Sequence, residues 1–294
     1  MLIPTKSANE KTNQTRRNND ERIKRFIEVR ANEMRPGKVL VICQIGLEME
    51  LRDTLPDNVD LQHYNNIAGE NAWSNVALLI VIGRTEPSPQ EVERTARALF
   101  GADIAEIEPG KWYPQVKRGL RMRDGSVIGV DGSCHPDPRA EDVRWQICEA
   151  GLIQSIGRGR AVNRSADNPL QIDILTKVVL PVEVDEVTTW DEIQPTMAEV
   201  MKARGAVPVN YRDMATAYPD LFVSASAAQM ALLRENPQQT PIDNYIISVC
   251  GGFLSLRYRR GSRGPASTLL YDPDLVADPV AWLTGRVGKV ALNR

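Results

Sequence analysis

The chain has 294 residues, 42% of them hydrophobic and 25% charged, with a formal net charge of −2. That length accommodates two domains of ordinary size, and the near-neutral balance excludes a uniformly basic nucleic-acid coat, so local charge carries the information. Four widely spaced cysteines with no C-x-x-C pair, and two histidines, His63 and His135, argue against a zinc ribbon or a mixed His/Cys metal site.

The thiols read as reduced. There is no apolar signal-peptide core at the amino terminus and no stretch of membrane-spanning length, so a soluble, cytoplasmic protein is the expectation. Residues 1–18 are polar and aperiodic and are expected to form a mobile arm. Asn19-Asp20-Glu21 offers a helix start, and Ile23, Phe26 and Ile27 make one apolar stripe that Pro36-Gly37 ends.

Lys38–Gln44 and Val76–Gly83 are continuous apolar runs, which read as buried parallel strands. Between them a helix is expected over Glu48–Leu55, a short strand over Val59–His63, and a polar loop over Tyr64–Asn71. Pro87 and Pro89 then punctuate before a helix over Glu91–Phe100. This alternation predicts an α/β fold, a parallel sheet with helices on both faces. Ligands of such sheets sit beyond the carboxyl ends of strands, here the loop after His63 and the Gly83-Arg84 end.

Lys111, Trp112, Lys117, Arg118, Arg121 and Arg123 form a basic segment with no acidic counterweight beside it in sequence. Asp124-Gly125 turns it into a hairpin with Val127–Val130. Cations with aromatics suit single-strand binding by phosphate neutralisation and stacking. The plainer alternative is a solvated hairpin with its aromatics packed on the sheet.

A helix over Pro138–Ile156, with Asp137 as N-cap, ends in Gln154-Ser155-Ile156-Gly157-Arg158-Gly159-Arg160-Ala161-Val162-Asn163-Arg164. One reading is a glycine-frayed C-terminus carrying the positive charge that a helix end favours. The other is an arginine cluster facing a phosphate. A strand over Leu170–Thr176 follows, then an acidic linker over 181–195.

Beyond it, helices are expected over Thr196–Arg204, Tyr211–Tyr218 and Ser224–Glu235, and strands over Tyr245–Val249, Phe253–Arg260 and Ala266–Tyr271. A closing helix spans Pro279–Val287. Helices followed by a hairpin suggest a small α+β, winged-helix-like domain over 196–294, after a first domain over 19–180. Arg257, Arg259, Arg260 and Arg263 would be its wing. The would-be recognition helix, Ser224–Glu235, is poor in cations, which leaves open a module for protein contacts or packing.

No nucleophile elbow and no G-x-x-x-x-G-K-[ST] phosphate loop is present. The chain alone is therefore not expected to hydrolyse ATP. Glu141, Asp142 and Glu149 lack the second carboxylate cluster that a nuclease would need.

Gln154, Gly157 and Arg158 resemble motif VI of superfamily 2 helicases, Q-x-x-G-R-x-x-R, with a departure at the last place, where Ala161 stands and Arg160 comes one residue early. Asn65–Asn71, with Gly69 and Asn71, is similar to the motif V loop, and Val39–Gln44 to the motif IV strand. The stretches 71–96, 144–176 and 258–273 look like the carboxyl-terminal part of helicase/primase-type replication proteins of bacterial mobile elements. The resemblance implies a second RecA-like lobe whose nucleotide-binding lobe lies on another polypeptide, or a truncated or repurposed derivative. It implies catalytic roles for Gln154, Arg158 and Arg160, and nucleotide contacts for Gly69, Asn71, Gly157 and Arg164. ATP and Mg²⁺ are expected only where a partner lobe completes the site, and DNA, single-stranded or forked, is the expected ligand. The competing class is a non-catalytic DNA-binding or adaptor protein that keeps the lobe as a scaffold.

Overall fold

A computed structural model of the chain describes residues 10–66, 73–101, 103–236, 238, 241–261 and 264–292. The chain divides into two compact units. The first runs to Ile193 without Arg25–Glu33, and the second takes that segment together with the chain from Gln194 onward.

The first unit holds α1 (Glu10–Glu33, as far as Lys24), β1 (Val39–Cys43), α2 (Ile45–Leu51), β2 (Val59–His63), β3 (Leu78–Ile82) and α3 (Pro89–Phe100). After these come β4 (Gln115–Arg121), β5 (Val127–Ser133), α4 (Pro138–Ile156), β6 (Gln171–Leu175) and α5 (Trp190–Ile193). Four strands form one parallel sheet in the order β2-β1-β3-β6. Every residue of the central β1 and β3 is buried, while the edge strands β2 and β6 are half-exposed. This is why the central pair reads as unbroken apolar runs. One sheet face, Leu40, Ile42, Leu79 and Val81, packs with Leu152 of α4 and with Trp73, Val76 and Leu180. The helix α3 starts at a capping box between Ser88 and Glu91. It packs with α4 around Val92, Ala96, Tyr113, Ala140 and Val143.

The strands β4 and β5 form a separate antiparallel hairpin. Its turn is made as the Asp124-Gly125 pair predicts: Gly125 has φ +85° and the Ser126 amide donates to Asp124 Oδ1 at 2.8 Å. The segment expected as a free acidic linker is partly tied down. Val184 exchanges backbone hydrogen bonds with Arg121 and Arg123 alongside β4.

The second unit runs α6 (Met197–Ala203), β7 (Ala206–Pro208), α7 (Tyr211–Ala217), α8 (Ala225–Glu235), α9 (Ile242–Val249), β8 (Leu254–Arg260), β9 (Ala266–Tyr271), α10 (Pro279–Val287) and β10 (Val290–Leu292). Its strands form an antiparallel sheet in the order β10-β8-β9-β7. The core gathers Met201, Met214, Tyr218, Phe222, Leu232, Ile246, Tyr258, Leu269 and Leu283.

Two differences from the sequence expectations have local causes. The apolar run Tyr245–Val249 is helical, within α9, because Ile246 is buried and Ile242, Tyr245 and Val249 pack against the same core, a helical spacing and not an alternating face. The first helix begins at Glu10, so residues 10–18 extend α1 instead of forming an arm. They are Glu, Lys, Gln and Arg-rich and suit a helix, but they carry no apolar stripe to announce it. Residues 1–9 lie outside the described residues.

Candidate phosphate-facing arginine turn

The helix that delivers the arginines is anchored at its start. Asp137 accepts from the amides of Arg139 and Ala140 at 2.9 and 3.4 Å, and from that of Ala105 at 3.0 Å. These bonds, the one from Ala105 first, hold its carboxyl down at about 2. From there α4 crosses the sheet face to Ile156, and Gly157–Gly159 tightens into a 3-10 turn. Arg160 is left-handed, φ 52° and ψ 49°, and a second 3-10 turn spans Ala161–Asn163. A left-handed arginine costs about 1–2 kcal/mol, so other contacts must hold it.

Arg164 supplies them. Its Nε and Nη2 donate to the Gly159 carbonyl at 3.1 and 2.8 Å, and its Nη1 donates to Asn168 Oδ1 at 3.1 Å. Burial lowers the Arg164 pKa from its usual value. Its side chain is thus spent on shaping the turn. Gly159 lies against the sheet: a Cβ there would come 2.5 Å from Leu170 Cδ2 and 3.5 Å from Leu79 Cδ2.

Gln154 and Gly157 are exposed and Arg158 and Arg160 are half-buried. Arg158 Nε is buried and has no hydrogen-bond partner among the described residues. Gln154, Arg158, Arg160 and Arg164 are therefore brought together on one helix-to-turn segment. Because Gly159 meets Leu79 and Leu170, this segment lies at the amino-terminal edge of β3 and β6, not at the carboxyl edge where open α/β sheets usually bind ligands. Gly69 and Asn71 of the motif V-like loop lie outside the described residues.

The carboxyl edge is occupied by a network that local sequence did not announce. Tyr64 OH lies 2.9 Å from both the Ile82 and Gly83 carbonyls, and Gln44 Nε2 donates to the Arg84 carbonyl at 2.6 Å. Arg84 is buried and reaches the Lys177 carbonyl, Ser133 Oγ and Glu86. Nearby, Arg144 is fully buried and grips Glu141 through two bonds of 2.7 and 2.8 Å, while also bonding Glu149. Burial alone would pull its pKa down, but the bonds to Glu141 and Glu149 raise it. His135 Nδ1 accepts from the Asp137 amide at 3.0 Å, which leaves the proton on Nε2, 3.3 Å from Glu93 Oε1. Glu141 and Glu149, the carboxylates weighed for nuclease chemistry, are thus committed to arginines. The one signal available in sequence was the Glu141–Arg144 spacing of three on a helix.

The basic segment has its counterweight after all, most of it from across the hairpin or from residues distant in sequence. Lys117 pairs with Asp131 at 3.0 Å, Arg123 with Asp185 at 2.9 Å, and Arg118 with Glu141 and Glu149. Lys111 pairs with Glu108 at 2.6 Å, and Trp112 Nε1 donates to Glu86 at 3.2 Å. Arg121 is exposed, with no carboxylate partner among the described residues.

In the second unit Arg257 is exposed and Arg259 half-buried. Arg260 is tied to Asp213 and to Thr216 Oγ1, so it is an internal residue of that unit. Arg263 lies outside the described residues. The exposed side of α8 presents Ser226, Gln229, Met230 and Leu233, with Arg234 as its cation.

Among the described residues no three His, Cys, Asp or Glu side chains come together as metal ligands, and no helix is long and apolar enough to cross a membrane. Comparisons of the chain with protein-family models, curated proteins and solved structures find no match.

Proposed function

We propose that this chain is the second, RecA-like motor lobe of an ATP-driven DNA helicase or translocase, working in the cytoplasm in DNA replication or mobile-element maintenance. The observation that carries the reading is Arg158. It stands one turn after an exposed Gln154, its Nε is buried without a partner, and the turn that presents it is held by Arg164. A guanidinium positioned in this way suits an anion that arrives from outside the chain. Bound ATP, with Mg²⁺ and a phosphate loop from a partner lobe, would supply the energy of movement. This chain's own residues would bind its terminal phosphate through Arg158 and Arg160 and orient water or phosphate through Gln154. Arg164 takes the role of positioning residue, in place of the nucleotide contact that the helicase resemblance implies.

The winged-helix reading of the second unit draws support from the order α6-β7-α7-α8 ahead of the β8–β9 hairpin, with β7 pairing to β9, although an additional helix, α9, stands between α8 and β8. The competing reading, a non-catalytic adaptor, is favoured by the internal commitment of Arg118, Arg164 and Arg260.

The test is ATPase activity of the chain mixed with a phosphate-loop protein that co-purifies from the native host. The chain alone is expected to be inactive. Arg158→Ala is expected to lower the activity of the mixture by about 10³–10⁵. The thermal midpoint should stay unchanged, because Arg158 Nε gives up no bond. An unchanged rate with Arg158→Ala would refute the motor reading and leave the adaptor.

A further inference from the structure

The hairpin β4–β5 has two unlike faces. Strand alternation puts Val116, Arg118, Leu120, Ile128, Val130 and Gly132 on one side. Of these, Arg118 turns inward to Glu141 and Glu149. The other face carries Lys117, Gly119 and Arg121 on β4, opposite Asp131, Gly129 and Val127 on β5. Its centre is thus a directly opposed glycine pair, Gly119–Gly129, where bare peptide groups meet solvent. Glycine weakens a strand interior, and where it stands in one it often marks a close approach by a ligand or another backbone. No packing explains Gly129: a Cβ there would meet nothing within 4 Å. Gly119 differs, because its Cβ would strike Val127 Cγ1 at 2.8 Å.

We propose that this face of the hairpin is a docking surface for single-stranded nucleic acid, with sugar and base laid on the Gly119–Gly129 floor and the phosphates held by Lys117 and Arg121. The inference rests on the nucleic-acid part of the function proposed above, and it does not depend on the arginine turn.

Charge complementarity selects this occupant. Lys117 and Arg121 flank the floor on the same strand and face, four residues and about 13 Å apart. Arg121 has no carboxylate partner among the described residues. Lys117 has Asp131 at 3.0 Å, but with the two side chains 72% and 45% exposed. So exposed a pair is weak and screened by solvent, and it yields readily to a phosphate. Arg123, at the tip, is paired with Asp185 in the same exposed fashion. The floor is open at Gly129 and bordered at Gly119 by the apolar Val127 side chain, and it offers no base-specific hydrogen-bonding side chain, so the surface reads backbone charge and single-strandedness rather than sequence.

The experiment is fluorescence anisotropy of a labelled oligothymidylate with the full chain, without nucleotide or partner, across a salt series. Wild type is expected to bind with an affinity that falls steeply with salt. Gly129→Val fills the floor and is expected to weaken binding at least tenfold. Its thermal midpoint should be unchanged or higher, since valine suits an exposed strand better than glycine does. Lys117→Gln and Arg121→Gln should each reduce the salt slope by about 0.7, the signature of one lost single-strand phosphate contact. Asp131→Asn should tighten binding. Gly129→Val with wild-type affinity would overturn the proposal. Should that variant lose its fold, unchanged slopes in both the Lys117 and Arg121 variants would overturn it equally. Displacement of the DNA by polyglutamate of matched charge at matched concentration would also overturn it, because the surface would then be a generic anion or acidic-peptide site. Since ATP and the partner are absent, loss of the motor reading leaves these outcomes interpretable, and the reverse also holds.

Discussion

Replacing Arg144 by methionine tests the buried network that fixes α4 beneath the hairpin. Methionine keeps most of the apolar stem and removes the guanidinium. The lost contacts are the two bonds to Glu141, at 2.7 and 2.8 Å, the bond to Glu149, and the approach to the Tyr113 ring at 5.9 Å. Glu149 is buried, its side chain 4% exposed, and Glu141 is 15% exposed. Breaking a buried pair by deleting one partner costs about 3–5 kcal/mol, because the other charge stays buried without compensation. Here the lower end of that range applies, since Arg118 still faces both carboxylates. For a unit of this size about 2–4 °C is lost per kcal/mol, so at the lower end of the cost the thermal midpoint should drop by about 6–12 °C. The assay is thermal unfolding followed by circular dichroism. Combining Arg144→Met with Glu149→Gln should recover part of the loss by removing the stranded charge. A drop below about 2 °C would mean that the network is solvated and that the argument from burial is wrong.

The pH dependence of the wild type has a definite sign. Asp137 is held at about 2 by its hydrogen bonds, and Glu141 is lowered as well, the bonds from Arg144 and the His135 amide outweighing burial. Folded-state values below the unfolded ones mean full stability above the usual carboxylate range, lost as pH falls through about 4 toward 2. Urea midpoints measured from pH 6 to pH 2.5 should decline over that window, and a flat profile would contradict both assignments. Burial pushes Cys43 and Cys148 up to about 12 and Cys250 to about 11. These three thiols should therefore resist a disulfide reagent at pH 8 until the protein unfolds, and rapid labelling of all four cysteines in the native state would exclude the packing described. In the second unit Tyr258 donates to the buried Asp213, which Asn210 Nδ2 also reaches at 2.6 Å. Tyr258→Phe removes a charge-assisted bond and should lower stability by about 1.5–3 kcal/mol in chemical denaturation. A loss under about 0.5 kcal/mol would show that this cluster is not structural.

The parts of the architecture legible in sequence were those whose cause is local. The strands β1 and β3 announce themselves because both their faces are covered, so no polar residue interrupts them. The bounds of α4 follow from Asp137-Pro138 at one end and Gly157 at the other, a cap and a breaker. The Asp124-Gly125 turn follows from the backbone it demands. The short strands β7 and β10 were not legible, because three residues carry no periodicity and exist only as partners of β9 and β8. The helix α9 differs from the strand that its composition favours for the related reason that the core position of Ile246, with Ile242, Tyr245 and Val249 around it, decides the local structure.

The candidate site divides in the same way. Sequence by itself determined that Gln154, Arg158 and Arg160 would stand together, since a helix end and two glycines bring them within a few residues. It also determined that the basic hairpin would turn at Asp124-Gly125. Tertiary structure alone decided which cations remain available. Arg164 is consumed by the Gly159 carbonyl, Arg118 by Glu141 and Glu149, and Arg260 by Asp213. Arg158 Nε and the Arg121 side chain are left without carboxylate partners among the described residues. The physical reason is distance along the chain. A charge pair is set by which elements the core brings together, and the apolar pattern that assembles the core says nothing about the carboxylates it carries alongside.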